Sequence, residues 1–273
     1  NTDIDIAINT PAESFINEII NAKSVEKNKY INWIKNCDDL YDTYTSTMIS
    51  NNEFINTYDL IHYISEYATA SDIIVPDSSG SAAEITLQSI RIKEGQRLIL
   101  NPGLGSMGYG LPAAIGAAIA SGKRTICIIG DGSLQHNIQE LETMHRLNLP
   151  IKLFVLNNNG YASIRNTHNT HFNGNLVCCD PSSGLTLPST IEIADAYDIP
   201  MCRISDVNSL KSFTKDMLKY PGQIIGEVMV DPDLKTLPRV SSKLNPDGEM
   251  VSAAFEDLYP FLPRNEFNAV MET

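Results

Sequence analysis

The sequence is short of positive charge. Twenty Lys and Arg stand against 33 Asp and Glu, a formal net charge of −13, which argues against nucleic acid or an anionic membrane as the main partner. It still admits a phosphorylated cofactor whose charge a metal neutralises locally. No apolar run reaches the ~18 residues that a bilayer-spanning helix needs, and no signal-peptide pattern opens the chain. The five cysteines (Cys37, Cys127, Cys178, Cys179, Cys202) are odd in number and lack CxxC spacing. Free thiols in a reducing cytoplasm are the expectation, with the adjacent pair Cys178 and Cys179 unreactive. GxGxxG and the P-loop lysine pattern are missing, which lowers an ordinary nucleotide-binding domain. Internal repeats and low-complexity tracts are also lacking. At 273 residues the chain can hold one large domain or two small ones with ample core. It begins at Asn1 rather than Met, so a piece of a longer product is expected.

What is present centres on residues 128–161. An apolar run (125–129) leads into Gly130-Asp131-Gly132-Ser133; a helical stretch follows, then a second apolar run (151–156) and Asn157-Asn158-Asn159-Gly160-Tyr161. This reads as strand, glycine turn, helix, strand and polar turn, one βαβ unit. In a parallel sheet Asp131 and Asn158 then emerge side by side at the carboxyl ends of their strands, the edge where open α/β sheets bind ligands. A carboxylate at Asp131, an amide carbonyl at Asn158 and the backbone carbonyl of Gly160 are hard oxygen donors suited to Mg²⁺. Gly132 and Ser133 offer N–H groups and a hydroxyl to phosphates at the helix start. Taken singly, either turn is an ordinary turn.

The rest is read more coarsely. Residues 3–8 alternate like a short strand, 12–22 form an amphipathic helix, and Trp33, Ile34 and Tyr41 lie on another. Residues 56–68 carry a helical apolar stripe, on which His62 reads as a partly buried structural histidine. A buried strand (71–76) feeds a hydroxyl-rich turn, 77–82. Glycines at 103, 105, 108 and 110 allow close backbone approach before an Ala-rich helix. Residues 135–148 form a helix burying Ile138, Leu141, Met144 and Leu147, with Gln135 and His136 in its first turn. Residues 161–172 follow the polar turn directly and border the substrate, although surface placement is favoured for each of Arg165, His168 and His171. Helices at 190–197 and 209–219, a strand at 222–231, a loop at 238–248 and a helix at 252–263 complete the reading.

The joint occurrence of GDGS after one strand and NN-x-G after the next, with Asn158 27 positions beyond Asp131, resembles the thiamine diphosphate signature of the acetolactate synthase and pyruvate decarboxylase superfamily. The resemblance covers roughly residues 50–240. It implies an α/β fold, a mostly parallel sheet with helices on both faces, in which 51–273 form the diphosphate-binding domain with a carboxyl-terminal tail and 1–50 the end of a middle domain and a connector. It also implies thiamine diphosphate and Mg²⁺ as cofactors, with Asp131, Asn158 and Gly160 as metal ligands. Gly130, Gly132, Ser133 and Tyr161 would lie against the cofactor, and Ser79, Gly80 and Ser81 would meet the diphosphate. The Gly105 carbonyl would receive the aminopyrimidine 4′-amino group, and Met107, an unbranched polarizable side chain, would wedge between the rings and bend them together.

The implied reaction is decarboxylation of a 2-keto acid, followed by protonation or attack on a second carbonyl. Two departures stand out. Ile164 lies where pyruvate decarboxylases place a glutamate, and Thr167 where acetolactate synthases place a tryptophan. No stretch resembles the pyrimidine-binding domain that supplies the activating glutamate, nor a full middle domain that could carry FAD. The reading is the carboxyl-terminal half of a thiamine diphosphate-dependent decarboxylase or carboligase, completed in the same or a second polypeptide, in a homodimer or homotetramer. A non-catalytic cofactor-binding module and a non-ligating decarboxylase are the alternatives, and Glu84 is the one internal acid that could replace the missing glutamate.

Overall fold

The computed structural model describes residues 4–22, 27–45, 53–78, 80–244 and 250–272. Backbone contacts divide the chain into a small unit, Asn1–Thr47 with Asn268–Thr273, and a large one, Met48–Phe267. The small unit holds helices α1 (Ala12–Asn21) and α2 (Ile31–Thr45). The strand expected at 3–8 does not form among the described residues. Ile4, Ile6 and Ile8 stay exposed, since alternation makes a strand only where a partner supplies the ladder; Asp3 lies outside the described residues.

The large unit is built on six parallel strands: β1 (Ile73–Pro76), β2 (Arg97–Leu98), β3 (Thr125–Gly130), β4 (Ile151–Asn157), β5 (Met201–Ile204) and β6 (Ile224–Met229), in the order β2-β1-β3-β4-β6-β5. The helices are α3 (Thr57–Tyr67), α4 (Gly80–Ser89), α5 (Gly110–Ser121), α6 (Asp131–Leu134), α7 (Glu140–Arg146), α8 (Ala162–His171), α9 (Thr190–Ala196), α10 (Leu210–Lys219) and α11 (Arg264–Met271), the last crossing into the small unit. Among the described residues no helix is long and apolar enough to cross a membrane.

The apolar runs of β3 and β4 are buried on both faces, as a covered parallel sheet requires. Ile126, Ile128, Phe154 and Leu156 point into a core closed by α3, α4 and α10. Their neighbours Cys127, Ile129, Leu153 and Val155 point into a second core closed by α5, α7 and α9. The expected α/β architecture with helices on both faces is therefore present.

Several local expectations change. The helix expected over 135–148 starts at Asp131, tightens to 3₁₀ over Gln135–Asn137 and resumes as α7. Leu141 and Met144 are buried, but Leu147 falls beyond the helix end and is exposed. His62 is exposed on α3, edge-on to Tyr63 at 5.5 Å. Strand β5 was not anticipated, because a four-residue edge strand with one buried side chain carries little periodicity. In the expected loop, β7 (Ser242–Leu244) pairs antiparallel with β8 (Met250–Ser252), while 245–249 lie outside the described residues. The helix expected at 252–263 is absent. Pro260 supplies no N–H and biases Tyr259 to extended backbone, so Tyr259 exchanges backbone hydrogen bonds of 2.8 and 3.0 Å with Arg239.

Candidate functional site

Strand order reverses direction beside β1. The chain leaves β1 through α4 toward β2, whereas it leaves β3 toward β4, so the turns after β1 and β3 diverge and open a crevice at the carboxyl edge. Asp77, directly after β1, donates its N–H to the Ile128 carbonyl at 2.7 Å. Its fully buried carboxylate accepts the Gly110 N–H at 2.8 Å and the Ser133 hydroxyl. That hydroxyl oxygen accepts the Gly108 N–H at 3.0 Å. Three separate turns thus meet on one Asp–Ser pair. The Ser133 hydroxyl, expected to face phosphate, is engaged inside the protein instead. The Gly132 N–H likewise turns to the Asp131 carboxylate, at 2.9 Å.

Asp131 is 5% exposed, and its second oxygen accepts the Gly160 N–H at 3.2 Å. Burial pushes its carboxyl up to about 6, while N–H groups of Gly132, Gly160, Asn159 and Asn158 act in the opposite sense. Asn158 is 7% exposed, and its side-chain carbonyl oxygen is buried without a hydrogen-bond partner. A buried acceptor with no donor is costly unless something else coordinates it. Tyr161 lays its ring against Gly132, where any side chain would collide with the ring edge, and the Gly160 carbonyl borders the same point. The structure therefore gathers Asp131, Gly132, Asn158, Gly160 and Tyr161 into one corner.

That corner is held from beneath by residues the sequence reading did not place there. Arg165, for which the surface was favoured, is only 5% exposed. Its guanidinium donates to the backbone carbonyls of Asn158 at 3.1 Å and Pro232 at 2.5 Å. It also pairs with Asp180 at 3.9 Å and Asp233 at 3.5 Å. Asp180 organises the loop after Cys179, accepting the Ser183 N–H at 2.9 Å, and the Cys179 carbonyl accepts the Tyr161 N–H at 2.8 Å. Fully buried Glu227 of β6 accepts from the Asn157 amide at 2.7 Å and pairs with Arg203. Arg165→Met is expected to cost about 2–3 kcal/mol, since buried carbonyls lose their donor. It should also weaken binding at the turn it supports. A urea melt with an unchanged midpoint would remove that role.

Residues 78–228 match the family described as thiamine pyrophosphate enzyme, C-terminal TPP binding domain. The chain belongs to this family. It is 30% identical over 197 residues to the acetolactate synthase large subunit of Porphyra purpurea, covering 72% of this chain and 32% of that protein. It is 28% identical over 223 residues to the large subunit of Cyanidium caldarium, covering 80% and 37%. To acetolactate synthase 1, chloroplastic, of Zea mays it is 30% identical over 198 residues, covering 71% and 31%. The chain therefore spans about a third of the length of these relatives. Among solved structures, the thiamine diphosphate-dependent 4-hydroxybenzoylformate decarboxylase of Rhodococcus jostii RHA1 superposes with a TM-score of 0.58 at 23% identity, covering 67% of this chain and 34% of that one. That similarity shows a shared fold.

The remaining candidate residues of this thiamine diphosphate-binding domain lie on the turn before α6, the glycine loop and the start of α4. Gly130 is the extended residue before α6. Gly105 has a left-handed backbone, and a Cβ there would lie 3.4 Å from the Ser78 carbonyl, which brings the glycine loop against the β1 turn. Met107 is half-buried in that loop. Ser79 lies outside the described residues. Gly80 and Ser81 open α4, and Gly80 touches α8 through Ser163. Ser78, one position before the expected trio, has a buried hydroxyl with no partner and is a further candidate donor at this edge. Gln135 is half-buried and His136 exposed.

Proposed function

We propose that this chain is the diphosphate- and Mg²⁺-binding part of a thiamine diphosphate enzyme that decarboxylates a 2-keto acid and ligates the product to a second carbonyl compound, in the manner of acetolactate synthases. The carrying observation is the unpartnered side-chain oxygen of Asn158, buried in the turn after β4 whose backbone N–H groups reach the Asp131 carboxylate after β3. With the Gly160 carbonyl these form a hard-oxygen set for Mg²⁺, which keeps its other positions for water and phosphate. Among the described residues no cluster of three or more His, Cys, Asp or Glu competes as a metal centre.

Once bound, the cofactor supplies the nucleophilic carbon and the electron sink. The residues of this chain supply placement. Ser78 offers a hydroxyl toward the diphosphate end, Gly105 a carbonyl toward the aminopyrimidine, and Met107 an apolar wedge between the rings. None of these residues activates the aminopyrimidine. Glu84, the internal acid considered for that task, is exposed and accepts from the Thr236 hydroxyl at 2.6 Å. The activating carboxylate is therefore assigned to a pyrimidine-binding domain in cis or in trans. The test is proton exchange at cofactor C2, followed by NMR with residues 1–273, Mg²⁺ and thiamine diphosphate. Exchange is expected at the free-cofactor rate. Exchange far above it, abolished by Glu84→Gln, would overturn the split-site assignment.

A further inference from the structure

A polar cavity opens between the first turn of α4, the length of α8 from Ala162 to His171, and the segment 234–239. Its outer wall is fixed to the fold. The Tyr58 hydroxyl bonds both backbone groups of Leu237, at 2.6 and 2.8 Å, and the Gln88 amide donates to the Pro238 carbonyl at 2.8 Å. Asn166 of α8 donates to the Leu234 carbonyl at 3.4 Å.

The lining has two chemistries. Thr167 and Thr170 donate their hydroxyl hydrogens back to helix carbonyls at 2.9 and 2.7 Å, and Thr236 donates to Glu84. These oxygens therefore present lone pairs to the cavity, which ask for a ligand carrying donors. Lys235 and Arg239, with His171 on α8, supply nitrogen donors that outnumber the one lining carboxylate, Glu84, which the Thr236 hydroxyl already engages, and they ask for an anion. The only apolar residues in its lining are Ala162 and Leu234. A plain alkyl keto acid brings the anion but no hydroxyl donors, and an aromatic one would need an apolar wall.

We propose that this cavity binds a small polyhydroxylated anion, a sugar acid or sugar phosphate, as the second substrate beside the cofactor. Its placement as a substrate rests on the thiamine diphosphate reading; the binding itself does not. The test is calorimetric titration of the full chain with D-gluconate and D-glucose 6-phosphate, which distinguish carboxylate from phosphate, and with D-glucose and pyruvate. At least one anionic polyol should bind tenfold or more tighter than both controls. Lys235→Gln combined with Arg239→Gln should lose at least tenfold of that affinity, and Thr167→Val, on an exposed helix face, should weaken it separately. The Mg²⁺–thiamine diphosphate titration should be unaltered in these variants. Equal affinity for glucose or pyruvate, no binding of either anion at millimolar concentration, or variants that bind as the parent does would each overturn the proposal. Failure of cofactor binding with polyol binding intact would instead strike the cofactor reading.

Discussion

Gly160→Ala is expected to dismantle the turn after β4. Gly160 sits at φ 140°, where a side chain costs about 1–3 kcal/mol in backbone strain. A Cβ would also overlap the Cys179 carbonyl oxygen and approach Asp180 Cα to 3.3 Å. The loop that accepts the Tyr161 N–H and pairs with Arg165 would have to move away. Together these should cost about 3–5 kcal/mol, a large share of a domain's ~5–15 kcal/mol, and lower cofactor affinity by more than tenfold. Urea unfolding reads the first effect and calorimetry the second. A variant with the parent's midpoint and affinity would show that the Cys179 loop is not packed on the turn.

Asp131→Asn should separate stability from binding. The variant keeps the shape but removes the one charged ligand assigned to the metal, so Mg²⁺-dependent cofactor affinity should drop by at least a hundredfold. The ligand-free fold should not lose stability at pH 7. A carboxyl raised from 3.8 to about 6 by burial binds its proton more tightly when folded. Stability of the ligand-free parent therefore falls as pH rises from about 4 through 6 and is flat above, a penalty of about 2–3 kcal/mol that the amide avoids. Loss of one backbone hydrogen bond, about 1 kcal/mol, works in the opposite direction. Below pH 6 the proton competes with the cation, so parental affinity should decline between pH 7 and 5 and that of the variant should not. Parental affinity that ignores this window would remove Asp131 from the metal set.

The two glycine turns were legible because each is local. A strand, a tight turn and a helix dictate their residue types within a few positions, and oxygen donors at two adjacent strand ends have few other uses. The support beneath them was not legible. Asp77 meets Ser133 56 positions away, and Glu227 meets Asn157 70 positions away, so no window of sequence contains both partners. Arg165 read as a surface or substrate-facing cation because nothing around it announces that Asp180 and Asp233 will close over it. Glu227 sat unremarked in a strand read only as buried, which conceals a buried carboxylate that has a partner. The tail failed for a different reason, since the helix read over 252–263 ran through Pro260, which supplies no N–H to continue it.

The junction of Asp77, Ser133 and Gly108 has an entropic consequence. A glycine-rich segment such as 103–110 has many backbone conformations in the unfolded chain, and a ligand that had to order it would bind more weakly for doing so. Here the amides of Gly108 and Gly110 are already held by buried side chains before any ligand arrives. The loss of disorder falls on folding rather than on association, and it is shared with the turns after β1 and β3. The segment 103–110 thus has two of its amides fixed by the fold itself.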